Sequence, residues 1–132
     1  MIVNGEGCWF DYGRLVFTAS KGGAAGKGQL FELKESDTSS ELKLLAAADD
    51  STQLHHPDNI VIAPDGSIFF AEDNKGDCLI QRLTSNGDFE PIARNRERGE
   101  EIAGVCFSPD GKVLFANIQE PGITVAISGF DF

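Results

Sequence analysis

One pattern recurs three times along this 132-residue chain: an apolar run, a turn that contains glycine, and a second apolar run. The three copies are "GEGCWFDYGRLVFTAS" (5–20), "PDNIVIAPDGSIFFAED" (57–73) and "IAGVCFSPDGKVLFANIQ" (102–119). Asp65-Gly66 and Asp110-Gly111 are 45 residues apart and Leu15 and Ile68 are 53 apart, a spacing typical of propeller blades and solenoid repeats. The chain is therefore predicted to repeat one small unit of supersecondary structure.

A second pair of short runs follows each of the first two copies, first "QLFELK" with "LKLLAAA", then "CLIQRLTSNG" with "FEPIAR". Only "ITVAISGF" follows the third. Two successive hairpins make a four-stranded antiparallel meander, and Val, Ile, Phe and Leu are strand formers. The best helix candidate, "SSELKLLAAADD" (39–50), occupies the place of "DFEPIAR" in the next repeat, so we interpret it as a strand too. An all-β chain is expected.

The runs "NIVIA" and "SIFFA" are apolar at nearly every position, whereas a strand with one wet face alternates. Burial on both faces is what sheets acquire when they stack. We therefore predict a partial β-propeller in a single domain, 1–132, with four-stranded antiparallel blades at about 5–48 and 56–95. A third blade, about 102–130, would be incomplete.

The predicted number of blades leaves the ring open. Closed propellers have about 4 to 8 blades, and this chain supplies about three. Two copies would form a six-bladed ring, or a companion segment of a longer protein would complete it. We favour either over an open stack because exposed blade faces would leave large apolar patches in water.

Composition limits the partners. With 21 acidic and 11 basic residues the formal charge is -10, which opposes nucleic acid and anionic lipid. No run is long enough for a membrane helix, and "MIVNGEGCWF" lacks the features of a secretory signal. Neither a nucleic acid nor a membrane partner is expected. Cys8, Cys78 and Cys106 have no CxxC spacing, so we expect packed thiols without a disulfide or zinc.

Acidic residues stand at both ends of the second repeat. In a hairpin that turns at Asp65-Gly66, Asp58 falls opposite Asp73 and Asn59 opposite Glu72, within one residue. The same geometry brings Glu101 near Gln119, and Glu6 near Ser20 and Lys21. One face, opposite the Asp-Gly turns, should collect this set: Glu6, Asp58, Asn59, Glu72, Asp73, Glu101, Asn117 and Gln119.

Crowded carboxylates repel one another unless a cation neutralises them. Carboxylate and amide oxygens suit calcium or magnesium, and His55 and His56 would add nitrogen for a transition metal. The alternative is a solvated acidic rim. "GGAAGKG" (22–28) has the wrong spacing for a phosphate loop and precedes a strand, so we interpret it as a loop on the acidic face. Lys21 and Lys27 would then be near any bound anion.

Three segments resemble the C-terminal part of the PhoX-type bacterial alkaline phosphatases: "EGCWFDYGRLVFTASKGGAAGKGQLFEL", "PDNIVIAPDGSIFFAED" and "FSPDGKVLFANIQEPGITVAISG". The resemblance implies a six-bladed propeller whose centre holds calcium and iron and hydrolyses phosphate monoesters. It also implies longer relatives that are commonly exported, although the compartment of this chain stays open.

By position, Glu6 matches the metal-binding glutamate of the family's "RPEG" motif, and Asp58, Glu72 and Asp73 match its acidic rim. The resemblance thus implies these four as metal ligands, with Lys21, Asn59, Asn117 and Gln119 as candidate anion contacts. Asn4 replaces the arginine of "RPEG", a phosphate clamp, and Gly5 replaces its proline.

Three functions remain open from the sequence. The first is phosphate-ester hydrolysis by a calcium- and iron-dependent centre, acting on a small-molecule phosphate ester. The second is a non-catalytic propeller segment that serves as a binding or assembly module, which Asn4 favours. The third is a calcium-dependent lactonase-like hydrolase, which would explain the acidic rim but not "NIQEPG".

Overall fold

The computed structural model describes residues 1–49, 54–74, 76–96 and 100–132. Within them the chain forms strands without any helix, so no helix there could cross a membrane. The strands are β1 (Ile2–Asp11), β2 (Arg14–Gly22), β3 (Gln29–Glu35), β4 (Ser40–Ala47), β5 (Pro57–Ile62), β6 (Ile68–Glu72), β7 (Cys78–Leu83), β8 (Phe89–Asn95), β9 (Ile102–Phe107), β10 (Val113–Ile118) and β11 (Ile123–Ser128). The predicted all-β class is confirmed.

The strands form three antiparallel meanders in chain order. We call β1–β4 blade 1, β5–β8 blade 2 and β9–β11 blade 3. The segment that resembled a helix contributes β4, which pairs along its length with β3. Short Gly-containing turns close each inner hairpin, and Gly13, Gly66 and Gly111 adopt positive φ there, a conformation that glycine takes without strain.

Blade 2 lies between the other two, which explains its continuous apolar runs. Ile68 and Phe70 of β6 belong to a buried cluster shared with blade 1, whereas Phe69 and Ala71 belong to one shared with blade 3. Successive side chains on a strand point to opposite faces, so a strand covered on both sides is apolar at every position. The prediction of stacked sheets is confirmed.

Near the Asp-Gly turns, further contacts connect blade 2 to blade 1 and to the C-terminal segment that follows blade 3. Arg14 of β2 donates to the carbonyl of Gly66 in the blade 2 turn and forms an ion pair with the buried Glu32 at 2.9 Å. Arg82 of blade 2 lies over the ring of Phe132, whose side chain packs with Phe69. These contacts fix the relative positions of the blades and hence of their opposite ends.

All three cysteines are free thiols. Cys78 is buried and Cys106 half-buried, as expected of packed thiols, but Cys8 is exposed. The expectation was wrong for Cys8 because it lies on the face of blade 1 that no other blade covers.

Candidate functional site

The strand ends opposite the Asp-Gly turns meet at one surface, which we call the mouth. In blade 2, Ile60 pairs with Phe70 and Pro57 with Glu72, with a bulge between the two pairs. Glu72 therefore lies opposite Pro57 instead of the expected Asn59, a shift of two residues. The pairs from Ile60 to Ile62 are already displaced by one residue, and the bulge at Asp58 and Asn59 adds the second. The two ends of the repeat nevertheless come together, and both carboxylates of "ED" stand at the mouth.

The junction of blades 1 and 2 fixes the backbone of Asp58. The buried Thr18 hydroxyl accepts a hydrogen bond from the Gly7 amide at 2.8 Å and donates one to the Asp58 carbonyl at 2.7 Å. A side chain on Gly7 would collide with that carbonyl and with Asn59 Cα and Ile60 N, each 2.9 Å from the Cβ position. Glycine is therefore required for the close approach of β1 to β5.

Asp58 and Glu101 bring blades 2 and 3 together at the mouth. Their carboxyls lie within hydrogen-bonding reach of each other, and Asp73 and Glu6 are close enough to act on Glu101. Burial first, then the bond to Asp58 and the negative charges of these neighbours, raise the pKa of Glu101 to about 7. Carboxylates from three blades thus form one electrostatic cluster. Sharing a proton, or binding a cation, relieves its repulsion.

Asn59 supports this pair from the side. Its amide donates to Asp58 Oδ1 at 2.9 Å, and its own oxygen accepts from the Gly104 amide in blade 3. Gly104 has φ +63°, and a Cβ there would lie 2.5 Å from Asn117 Nδ2. The arrangement therefore ties Asp58 to the inner strand of blade 3.

Glu72 is the most enclosed of the predicted site residues, with 1% of its surface exposed. Its Oε1 accepts from the His55 amide at 3.1 Å and from Gln81 Nε2 at 2.6 Å, and Asn74 Nδ2 lies 3.4 Å from Oε2. Burial raises the pKa of Glu72 to about 7, although these donors oppose the shift. Near neutral pH this carboxyl exchanges readily between its acid and its anion.

A cleft of ≈ 760 Å³ opens at the mouth between blades 1 and 2. Its lining residues are Asn4, Glu6, Ser20, Lys21, His55, His56, Glu72, Asp73, Asn74, Asp77 and Leu79. Asn4 donates to Glu6 Oε1 at 2.6 Å and to Ser20 Oγ at 2.7 Å, so it holds the Glu6 carboxylate in place. The cleft offers carboxylates, amides, imidazoles and one lysine to a polar ligand.

Two histidines form one wall of the cleft. His56 has φ +46°; its amide donates to the Lys27 carbonyl at 2.6 Å, and its Nδ1 lies 2.8 Å from the Ser20 carbonyl. A histidine whose Nδ1 is bound to a carbonyl has Nε2 as its basic nitrogen. Burial, then the electrostatic effects of Lys27 and His56, lower the pKa of His55 and so disfavour its charged form.

The glycine-rich segment 22–28 lies beside this wall. It joins β2 to β3 without a helix, and Gly28 stands against the Pro57 ring with no room for a side chain. The interpretation as a loop on the acidic face is confirmed. A phosphate loop would instead lead into a helix N-terminus.

The four candidate anion contacts do not all lie in the cleft: Lys21, Asn59, Asn117 and Gln119. Lys21 lines the cleft. The Gln119 amide donates to the Glu101 carbonyl at 3.1 Å, which puts this exposed residue at the mouth. Asn117 does not line the cleft; it lies on β10 and accepts the Thr124 hydroxyl at 2.7 Å. Asn59 supports Asp58, as described above.

Glu101, Asn74 and Asp77 were not among the predicted ligands. Hairpin geometry had already placed Glu101 on this face, so the sequence held enough information to include it among the candidate ligands. Asn74 and Asp77 follow β6 in the β6–β7 connection, where sequence spacing gives no register. The structure thus adds Asp77 and the amide of Asn74 on the side of blade 2, and Glu101 on the side of blade 3.

The donor chemistry fits a hard cation, because carboxylate and amide oxygens surround one charged cluster. As the side chains stand, no three His, Cys, Asp or Glu residues of the described ranges enclose a metal position. Glu6, Asp58, Asp73 and Glu101 interact electrostatically without closing around a centre. Small rotations of exposed side chains, or donors from elsewhere, would have to complete coordination.

Solved structures with a similar fold are propeller enzymes. Virginiamycin B lyase from Staphylococcus aureus has a TM-score of 0.61 at 12% identity, over 99% of this chain and 43% of the lyase. A streptogramin B lyase has a TM-score of 0.59 at 14% identity, over 97% and 41%. A protein assigned as a 6-phosphogluconolactonase from Bacteroides uniformis has 0.59 at 17% identity, over 89% and 36%. The partial β-propeller is confirmed, and the chain spans less than half the length of these proteins.

A comparison with curated proteins gives no significant match. Residues 6–122 match the family model of alkaline phosphatase PhoX. The matched range contains all four predicted metal ligands and all three repeats except Gly5, the first residue of the first repeat. The chain therefore belongs to the alkaline phosphatase PhoX family.

Proposed function

We propose that this chain forms part of a calcium-dependent phosphomonoesterase centre, with its mouth as the cation side of the site. The observation that carries the proposal is the approach of Asp58 and Glu101 from two blades. Burial first, then the bond to Asp58 and the negative charges of Asp73, Asp58 and Glu6, raise the pKa of Glu101 to about 7. Such a cluster binds either protons or a cation. Membership of the PhoX family supports the cation.

Glu6, Asp58, Glu72 and Asp73 would hold calcium, and the family resemblance adds iron as a second metal. When bound, such ions polarise a phosphoryl oxygen and neutralise developing charge. Asn4 and Ser20 orient the Glu6 carboxylate, and the Thr18 hydroxyl fixes the Asp58 backbone. The protein thereby keeps its oxygen donors in place before the ion arrives, which is the role of outer-sphere contacts in metal sites.

The substrate would be a small phosphate monoester, with its phosphate group directed to the cleft between blades 1 and 2. Lys21 supplies a positive charge on the lining, and Gln119 an amide at the mouth. Asn59 and Asn117 would contribute through the supporting network rather than through direct contact. Asn4 stands where the family motif has a phosphate-clamping arginine, so substrate binding would depend more heavily on Lys21 and the metal.

Calcium titration of the purified chain, followed by calorimetry and thermal melting, tests the cation site without requiring turnover. We expect calcium to raise the Tm of the parent protein, and the double variant Asp58→Asn with Glu72→Gln to abolish that rise. The matched control is Asp37→Asn with Glu41→Gln, which removes two charges from exposed positions of blade 1 away from the mouth. It should keep the response. An unchanged Tm in the parent would contradict the proposal.

Hydrolysis of a generic phosphate ester with calcium and iron tests the catalytic step separately. Activity that is lost in Lys21→Ala supports the anion role of this side chain. Calcium binding without hydrolysis would favour the alternative, a non-catalytic segment in which the amide of Asn4 occupies the place of the arginine.

A lactonase-like hydrolase is a second candidate. The shared propeller fold with assigned lactonases supports it, as does the presence of Glu6, Asn59 and Asp58 near one mouth. Hydrolysis of a sugar lactone, with no hydrolysis of the phosphate ester, would select this candidate.

A further inference from the structure

Blade 1 has one sheet face that no other blade covers. Its cross-strand pairs place apolar side chains in register, because Phe17 pairs with Phe31 and Leu15 with Leu33. The rows on this face extend from the inner to the outer strand and comprise Cys8, Phe10, Leu15, Phe17, Phe31, Leu33, Leu42 and Leu44. Phe10 is 69% and Leu42 52% exposed. The centre of this face is apolar, and Glu35 and Ser40 lie at its edge near the β3–β4 turn.

Blade 3 has the complementary uncovered face. Phe115 is in register with Cys106 on β9 and with Ala126 on β11, and it is exposed. Asn117 and Thr124 follow on the same face, closer to the mouth. The centre of this face is thus one large aromatic ring among small side chains.

These two faces correspond to the two sides of a junction that the chain already contains. Leu15 and Phe17 stand at the strand positions of Ile68 and Phe70, which blade 2 packs against blade 1. Phe115 stands at the position of Phe69, which blade 2 packs against blade 3. Blade 2, covered on both sides, contributes none of the exposed large hydrophobic side chains within its described residues. The free faces therefore match each other as successive blades do.

We propose that blade 3 of one copy packs against blade 1 of a second copy, twice, so that two chains close a six-bladed ring. The described residues of one chain form three blades, so two copies supply six, a number within the 4 to 8 blades of closed propellers. Each copy would use both apolar faces, and the twofold axis makes the two junctions identical. The mouths of both copies would then surround one axis, which supplies donors from a second chain to the incomplete cation site. The ring does not depend on phosphate-ester hydrolysis.

The native cysteines report on this geometry. Cys8 lies on the free face of β1 and Cys106 on the free face of β9, both on inner strands, whereas Cys78 is buried. Inner strands of successive blades are neighbours, as β1 and β5 are within the chain. The ring therefore brings Cys106 of one copy close to Cys8 of the other.

Light scattering on the purified chain, combined with a short bismaleimide cross-linker and peptide mapping, is the test. We expect twice the 14.2 kDa chain mass and a cross-link between Cys8 and Cys106 of different copies, lost in Cys8→Ser. Links of Cys8 to Cys8 or of Cys106 to Cys106 would overturn the head-to-tail arrangement. A monomer at all concentrations would overturn the proposal and leave the faces to blades of another chain.

Charged substitutions test the two faces separately. Leu44→Asp and Phe115→Asp should each weaken the dimer more than about tenfold, because each buries an unpaired charge at the junction. Asn86→Asp, in the exposed β7–β8 turn, adds the same charge and should leave the dimer intact. Mixing the two face variants should restore partial dimerisation, because the mixed ring keeps one unaltered junction. If a face variant fails to fold, the cross-linking of the parent protein still decides the question.

Discussion

Replacing Gly7 with alanine tests whether the close contact of β1 with β5 shapes the mouth. The added Cβ would meet the Asp58 carbonyl, Asn59 Cα and Ile60 N, all backbone atoms of the neighbouring blade. Backbone cannot rotate away as a side chain does, so the blades must separate. Overpacking of this kind costs typically about 1–3 kcal/mol, and we expect the upper part of that range.

Gly5→Ala is the matched control on the same strand. A Cβ at Gly5 meets nothing within 4 Å, and neither glycine has positive φ. Both variants lose the same glycine flexibility in the unfolded chain, a stabilising effect of about 0.4–1 kcal/mol that cancels in the comparison. The free energy of unfolding should therefore be about 3 kcal/mol lower for Gly7→Ala than for Gly5→Ala.

Urea denaturation at one fixed protein concentration measures this difference, since association would otherwise shift the apparent stability. Calcium titration of the same variants adds a second readout, because Gly7→Ala displaces the Asp58 backbone and should weaken calcium binding, whereas Gly5→Ala should not. Equal stabilities within about 0.5 kcal/mol would refute the reasoning.

Further changes probe the contacts around the site. Thr18→Val should lower the free energy of unfolding by about 1–3 kcal/mol, because the Gly7 amide loses its hydrogen-bond acceptor. Urea denaturation should show a smaller loss for Thr18→Ser, which keeps the hydroxyl. Equal losses for the two variants would contradict this role of the hydroxyl. The pKa of Glu72 is about 7 in the folded chain against 4.5 as its ordinary value, so the folded state holds the proton more tightly. Without metal, stability should be fully present below pH 4.5 and fall as pH rises through 7, by up to about 3 kcal/mol. Urea denaturation in the presence of a chelator at pH 5 and pH 8 checks the sign of this change in the free energy of unfolding. Equal stability at the two pH values would contradict the raised pKa of Glu72. Phe69→Ala should cost about 3–5 kcal/mol by the same assay, since this buried ring packs against three other phenylalanines of the C-terminal region; a loss below about 1 kcal/mol would contradict that packing.

Much of the fold could be predicted because the pattern is local. Short apolar runs such as "NIVIA", with turn residues at both ends, are typical of strands with two covered faces, and the Asp-Gly turns indicate where hairpins reverse. Propensity alone favours a helix in the segment that contains β4 (Ser40–Ala47), since Leu, Lys and Ala are helix formers. Its position in the repeat, rather than its composition, identified it correctly.

The mouth could be predicted as a common face, but the pairing of Glu72 in blade 2 is displaced by two residues from the expected one. Hairpin geometry placed Glu101 beside Gln119 and Glu6 beside Ser20, and both contacts occur. The bulge at Asp58 has no signature in the sequence; in the structure it lies where Gly7 and Thr18 of blade 1 contact the Asp58 backbone. The exposure of Cys8 also lay beyond sequence reasoning, which does not show which blade faces stay uncovered.

The convergence of acidic side chains from three blades is tested most directly by the titration of Glu101. Carbon-13 NMR of its side-chain carboxyl, in the chain with and without calcium, reports the local charge. We predict a pKa of about 7 without calcium, a fall on adding calcium, and a fall in Asp58→Asn. A pKa near 4.5 that neither calcium nor the variant changes would contradict the proposed mouth.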